Sequence, residues 1–239
     1  TFTVAATGPQ IASVVNSASY ATGPVAPGEV VTIFGSGLGP DTLAVFTAVN
    51  NVIPTDLDST RVTFGTTAAP VIYTSATQVA AVAPFGLDTT APVTLKVAYN
   101  SVDSALLPVL TAAAAPGIFT FTGTGAGQAA ALNYDETKKE YSINSDTTPA
   151  TKGSILIFYA TGTGKPAQPP ADGTIPQQAS STNEPNISVQ IGGVDVTVIY
   201  AGAAPGLVAG MMQVNVRVPD TVTTNKAATL TLKSGAITS

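Results

Sequence analysis

The chain carries one stretch of β-type sequence twice, and the second copy runs out a strand early. Gly28-Glu-Val-Val-Thr-Ile-Phe-Gly-Ser-Gly-Leu-Gly39 is answered by Gly153-Ser-Ile-Leu-Ile-Phe-Tyr-Ala-Thr-Gly-Thr-Gly164. Val62–Gly65 and Val71–Tyr73 return as Val189–Gly192 and Val198–Tyr200. Gln78-Val79 leading to Pro84 returns as Gln213-Val214 leading to Pro219, and Val93–Lys96 as Leu230–Lys233. The first copy continues through Ser104–Thr111, a closing strand, whereas the second reaches only Ile237-Thr-Ser239. An incomplete sandwich exposes apolar side chains and unpaired backbone groups, which is costly. The second copy is therefore expected to need a strand from elsewhere. Thr1-Phe-Thr-Val-Ala-Ala-Thr7 belongs to neither copy and alternates as a strand does. The expected division is an N-terminal extension over 1–10, a first domain over 11–117 and a second over 118–239, joined near Ala112–Gly117.

Composition narrows the class. The chain is 44% hydrophobic and only 10% charged, where about 25% charged is usual. That is too apolar for disorder, yet no apolar run approaches the ~20 residues of a membrane helix. With 22 Gly and 18 Pro the apolar stretches are short and punctuated, as in an all-β protein with many turns. A net charge of −5 with few, scattered Lys and Arg leaves no footprint for nucleic acid. Cys and His are both absent, so disulfides and thiolate or imidazole metal sites are excluded, and no cofactor is expected. Low charge, abundant Thr and Ser and no redox-sensitive thiol suit a secreted or cell-surface protein whose signal peptide has been removed.

Alternation and turn residues give strands over Ile11–Val15, Glu29–Gly35, Ser59–Phe64, Ala69–Thr74, Gln78–Val82, Val93–Tyr99 and Ala105–Leu110 in the first copy. In the second they give Ala129–Tyr134, Glu140–Ile143, Ser154–Ala160, Ile187–Ile191, Val196–Ala201, Gly210–Val218 and Ala228–Lys233. Val30, Thr32 and Phe34 face one way and Val31 and Ile33 the other, so this strand is expected to be buried on both faces. Asp41–Pro54 reads as a longer connection with room for a short helical turn. Asp135–Glu140 reads as a polar hairpin tip, and 163–185 as a long Pro-, Gly- and Gln-rich loop. About seven short strands per copy point to two immunoglobulin-like β-sandwiches in series.

Four runs carry a family resemblance: Ser13–Tyr20, Pro27-Gly28 with Ile33–Gly35, Ala115-Pro-Gly-Ile-Phe119, and Tyr200–Leu207 with Gln213–Pro219. Over 11–239 the chain resembles the C-terminal repeat domain of large secreted acidobacterial surface proteins. That resemblance implies tandem immunoglobulin-like domains of the IPT/TIG type, a cell-surface or extracellular location, and no established activity. It implies no catalytic residues. Members usually run on into a further Val-Thr-Val strand, and this sequence departs from them there.

Several patterns compete with a structural reading. Gly123-Thr-Gly-Ala-Gly127 has the look of a dinucleotide loop, but Gln128 takes the place of the last glycine and no βαβ context follows; an inter-domain turn explains the glycines. Gly162-Thr-Gly-Lys165 lacks phosphate-loop spacing and is followed by Pro166. Lys152 and Ser154 form a Ser–Lys pair close in sequence, though most Ser and Lys in such proteins are solvated. Asp56/Asp58 and Asp135/Glu136 pair carboxylates without the spacing of a calcium loop, and solvated turns account for them better. Tyr20, Tyr73, Tyr99, Tyr134, Tyr141, Tyr159 and Tyr200 could stack on sugars, although most fall at strand positions. Met211-Met212, beside the apolar loop 203–210, reads equally as a contact patch and as core. Asn186-Ile-Ser188 is a glycosylation acceptor pattern.

Two functions follow. One is a non-enzymatic structural subunit that polymerises with itself head to tail, its N-terminal strand completing a neighbour's second domain. The interface would then use Phe2, Val4 and Ala6 against Leu230, Leu232 and Ile237. The other is an adhesive or carbohydrate-binding domain pair from a larger surface protein, with glycans as partners. With no acid–base pair in evidence, an enzyme ranks last.

Overall fold

In the computed structural model of the chain, residues 8–180, 183–184, 186–223 and 228–239 are described, and every structural statement below concerns those residues. The expected Thr1–Thr7 strand lies outside them.

The fold is all-β, two immunoglobulin-like sandwiches in series. The first half contains β1 (Gln10–Asn16), β2 (Val30–Ser36), β3 (Ala44–Val45), β4 (Thr60–Phe64), β5 (Thr67–Ala69), β6 (Val71–Thr74), β7 (Gln78–Val82), β8 (Val93–Tyr99), β9 (Val102–Asp103) and β10 (Leu107–Val109). The second contains β11 (Gly117–Ile118), β12 (Ala131–Asp135), β13 (Glu140–Ile143), β14 (Ile155–Thr161), β15 (Ile187–Ile191), β16 (Val194–Val196), β17 (Val198–Ala203), β18 (Met212–Arg217), β19 (Leu230–Ser234) and β20 (Ile237–Thr238). The first half packs the sheet β1-β2-β7-β6-β3 on β10-β8-β4-β5, with β9 beside β8. The second packs β13-β12-β14-β18-β17 on β16-β15-β19-β20, with β11 beside β14. All these pairings are antiparallel, so each strand puts alternate residues into the core.

Two apolar layers result. Val31, Ile33, Val62, Phe64, Val79, Leu95 and Val97 fill the first; Leu156, Phe158, Val189, Val214, Val216 and Leu232 fill the second. The repeat explains the match, because β2, β4, β7 and β8 place the same alternating positions inward as β14, β15, β18 and β19. Met212 lies in the second core and Met211 packs between the halves, so the Met pair is core rather than a free contact patch.

A third apolar cluster joins the halves. Val30, Ile53 and Val82, with Phe46 and Ile72, meet Val208, Ile175 and Met211 of the second half. Val30 lies under the second half, Thr32 is bonded by Ser17 and Phe34 packs on Tyr20, so β2 is covered on both faces, as its sequence predicts. The seam is also hydrogen-bonded. Ile53 N–H donates to Gly173 O (2.9 Å) and Ile175 N–H to Asn51 O (2.7 Å).

The structure corrects three expectations. Asp41–Pro54 holds no helical turn. Val49 and Val52 pair across Asn50 and Asn51, both at positive φ, which is the geometry of a tight hairpin. The Ala69–Thr74 strand is two strands, because Pro70 cannot donate to a ladder. The Gly123–Gly127 loop is not an inter-domain turn. It interrupts the second half's first strand, separating β11 from β12, and packs on Ser19. A Cβ at Gly125 (φ +74) would lie 1.7 Å from Ser19 O, so only glycine fits there.

Candidate functional site

Two clefts flank the seam. One, about 290 Å³, is lined by Phe85, Lys165, Gln168, Glu184, Asn186 and Met211 among others. The other, about 280 Å³, lies between Asn16, Val25 and Glu29 of the first half and Pro116, Ile237 and Thr238. Glu29 is 2% exposed. Burial pushes its carboxyl up to about 8, opposed by the Ala26 N–H and the Asn16 side chain. Ala26 N–H donates to Glu29 Oε2 at 2.7 Å, and Asn16 Nδ2 donates to Ala115 O at 2.9 Å, tying this corner to the junction. Glu29 stands without a second carboxyl in that cleft's lining, so the corner offers no paired acid–base chemistry. It is a structural clamp.

The tyrosines do converge. In the second half, inward residues of β14 and β18 are Leu156, Phe158, Val214 and Val216. Ile155, Ile157, Tyr159, Gln213, Asn215 and Arg217 therefore face outward. The register sets Tyr141 opposite Tyr134, Tyr134 opposite Ile155, Ile155 opposite Arg217, and Tyr200 opposite Asn215. Tyr134, Tyr141, Tyr159 and Tyr200, four of the chain's 7 tyrosines, thus share one sheet face. Tyr134 and Tyr141 lie with ring centroids 4.7 Å apart, tilted by 34°. Tyr141 is 64% exposed and Ile143 beside it 57%. Leu132, Ile155 and Ile157 make an apolar floor. Polar groups stand among them: Gln213 Nε2 donates to Asn215 Oδ1 at 3.0 Å, and Arg217 Nη1 donates to Glu136 Oε2 at 2.7 Å and to Gly153 O at 2.7 Å. The Arg217 guanidinium holds the Glu136 carboxyl below its ordinary range.

The equivalent face of the first half is covered at its Val30–Val82 end, while farther along it Tyr20 packs on Phe34 and stays partly exposed. Val30 and Val82 stand where Ile155 and Arg217 stand in the second half, and they are covered by the inter-half cluster. The apolar residues Val82 and Ala80 have become Arg217 and Asn215, which suit a face in contact with water.

The other sequence candidates resolve into structure. Asp56 pairs with Arg61 at 2.7 Å. Asp135 Oδ1 accepts from Thr137 and Lys138 N–H, capping the hairpin turn. Lys152 donates to Asp220 O and Ser154 Oγ to Thr151 O, so the two do not form a dyad. Among the described residues no three His, Cys, Asp or Glu cluster to hold a metal, and no helix is long and apolar enough to cross a membrane. Asn186 is exposed at the rim of the first cleft. Of the expected interface residues, Leu232 is fully buried in the second core, Leu230 packs against that core, and Ile237 lines the second cleft; Phe2, Val4 and Ala6 lie outside the described residues. The tyrosines are visible in the sequence but their common face is not. The signal was there: Tyr134 and Tyr141 bracket the polar hairpin tip 135–140, and Tyr159 lies an odd number of positions from the inward Leu156.

A profile for the IPT/TIG domain matches residues 13–111, so the first half is similar to that family. No curated protein matches the chain by sequence. Among solved structures, SGBP-B from a complex xyloglucan utilization locus in Bacteroides uniformis is 14% identical, with a TM-score of 0.27. The alignment covers 95% of this chain and 47% of that protein, so the chain spans about half its length. A TM-score this low supports no equivalence between particular residues.

Proposed function

We propose that this chain is a non-enzymatic pair of immunoglobulin-like domains from a secreted or cell-surface protein, and that it binds glycans on the open sheet face of its second half. The observation that carries this reading is the gathering of Tyr134, Tyr141, Tyr159 and Tyr200 on one face, with amide and guanidinium groups among them. A pyranose ring presents apolar C–H patches ringed by hydroxyls. An aromatic ring takes the patch, and amides and charged groups take the hydroxyls, the combination that recognition sites use. Of the carboxylate pairs the sequence offers, Asp56 is held by Arg61, Asp135 by a turn and Glu136 by Arg217.

Affinity electrophoresis through gels containing soluble polysaccharides tests this. The protein is expected to be retarded by at least one of them, and Tyr134→Ala/Tyr141→Ala to migrate freely while keeping its β-sheet circular dichroism. A native chain ignored by a broad polysaccharide panel, or a double variant that is still retarded, overturns the reading.

A further inference from the structure

The β12–β13 hairpin sets two phenols face to face. Register places Tyr134 of β12 directly opposite Tyr141 of β13. Side chains opposite each other on an antiparallel pair leave the sheet on one face, with Cβ atoms about 5 Å apart. Here the ring centroids are 4.7 Å apart and the planes are tilted by 34°. All 7 tyrosines of the chain lie among the described residues, and no other two of their rings stack. Tyr141 is 64% exposed, Tyr134 is half-buried, and β13 is exposed along its whole length. An oxidant in solution reaches this pair without any opening of the fold.

The rest of the composition keeps one-electron oxidation on the phenols. Thiols and indoles are the side chains that most readily drain a tyrosyl radical, and the chain has neither Cys nor Trp. Its two thioethers, the other oxidisable groups, are withdrawn from solvent: Met212 is buried in the second core and Met211 packs between the halves. The covalent geometry fits as well. Two phenol rings joined through the carbons beside their hydroxyls have centres hardly closer than these. Coupling therefore asks for a swing of each ring about its Cβ–Cγ bond, a broad torsion in tyrosine, rather than a shift of either strand.

We propose that Tyr134 and Tyr141 form an oxidative cross-linking site, coupled by hydrogen peroxide and a haem peroxidase into a dityrosine that staples β12 to β13. Each phenol gives up one electron and its hydroxyl proton. The two radicals join through the ring carbons beside the hydroxyls, and the hydrogens on those carbons then move to the phenolic oxygens. Peroxide takes up the two electrons and two protons and leaves as two waters. The new bond constrains the unfolded chain as a disulfide does, in a sequence without cysteine to supply one. It also ties down β13, which stands at the edge of its sheet and pairs with β12 alone. The cross-link does not rest on glycan binding, and either can fail alone.

Lys138 and Lys139 lie between the two tyrosines, so trypsin puts them on separate peptides. The dilute native chain is treated with a haem peroxidase and hydrogen peroxide, digested, and read by mass spectrometry. The expected product is a monomer in which the peptide holding Tyr134 is joined to the one holding Tyr141, with the loss of two hydrogen atoms and the blue emission of dityrosine. Tyr141→Phe should lower that emission tenfold or more, and Tyr99→Phe should leave it unchanged. Any of three results overturns the assignment: cross-linked dimers with no product inside one chain, a link mapped to another pair of tyrosines, or a Tyr141→Phe chain that couples as readily as the native one.

Discussion

Glu29 is the residue whose chemistry departs furthest from its ordinary state. Its folded carboxyl titrates near 8 rather than 4.5 because it is buried. The folded chain then holds a proton that the unfolded chain releases, so stability falls as pH rises between those values. The contribution is fully present below about 4.5 and lost as pH climbs toward 8. Glu29→Gln keeps the acceptor for Ala26 N–H and removes the titration. Urea midpoints at pH 5 and pH 8 should differ for the native chain and converge for the variant, with the variant more stable at pH 8. Thr161 is the other decisive residue. Its hydroxyl accepts from Val30 N–H (2.8 Å) and donates to Gly210 O (2.8 Å), bridging the halves. Thr161→Val strands both buried partners and should cost about 2–4 kcal/mol in denaturant unfolding. Neither role was legible in the sequence. Glu29 reads there as an ordinary strand-starting residue, and the hydroxyl's partners lie 131 and 49 positions away.

Strands were the legible scale. Gln78–Val82, Val93–Tyr99, Glu140–Ile143 and Ile187–Ile191 fall where alternation and turn residues put them. Local signals failed where a tertiary contact decides the outcome. Val49–Val52 form a hairpin whose Asn51 and following Ile53 bond Ile175 and Gly173, and the first strand of the second half splits around the Gly123–Gly127 loop, which packs on Ser19. β13 is an addition with no first-half counterpart, and its hairpin with β12 brings Tyr134 and Tyr141 to the open face. Single alanine substitutions at Tyr141 should weaken glycan binding about tenfold, worth about 1.4 kcal/mol, with little change in melting temperature because Tyr141 is largely exposed. Tyr99→Ala, in the first half, should leave binding unchanged in the same titration.

At the scale of the molecule, the repeat reveals two sandwiches but not the cluster that joins them. That cluster depends on Val208, Met211 and Ile175, which lie in loops the two copies do not share. A shared apolar layer couples the halves, so thermal unfolding should be a single transition by calorimetry and circular dichroism. Ile53→Asp, which puts a charge in that layer, should split it into two. The cluster covers the Val30–Val82 end of the first half's sheet face, and the matching end of the second half, beside Tyr134 and Arg217, is the face proposed to take the glycan. Amide chemical-shift mapping, with the chain titrated against the polysaccharide that retards it, tests that assignment most directly. The account predicts shifts concentrated on Leu132–Tyr134, Tyr141–Ile143, Tyr159 and Gln213–Arg217. Shifts confined to the cleft around Lys165 and Glu184, or to the first half, would contradict it.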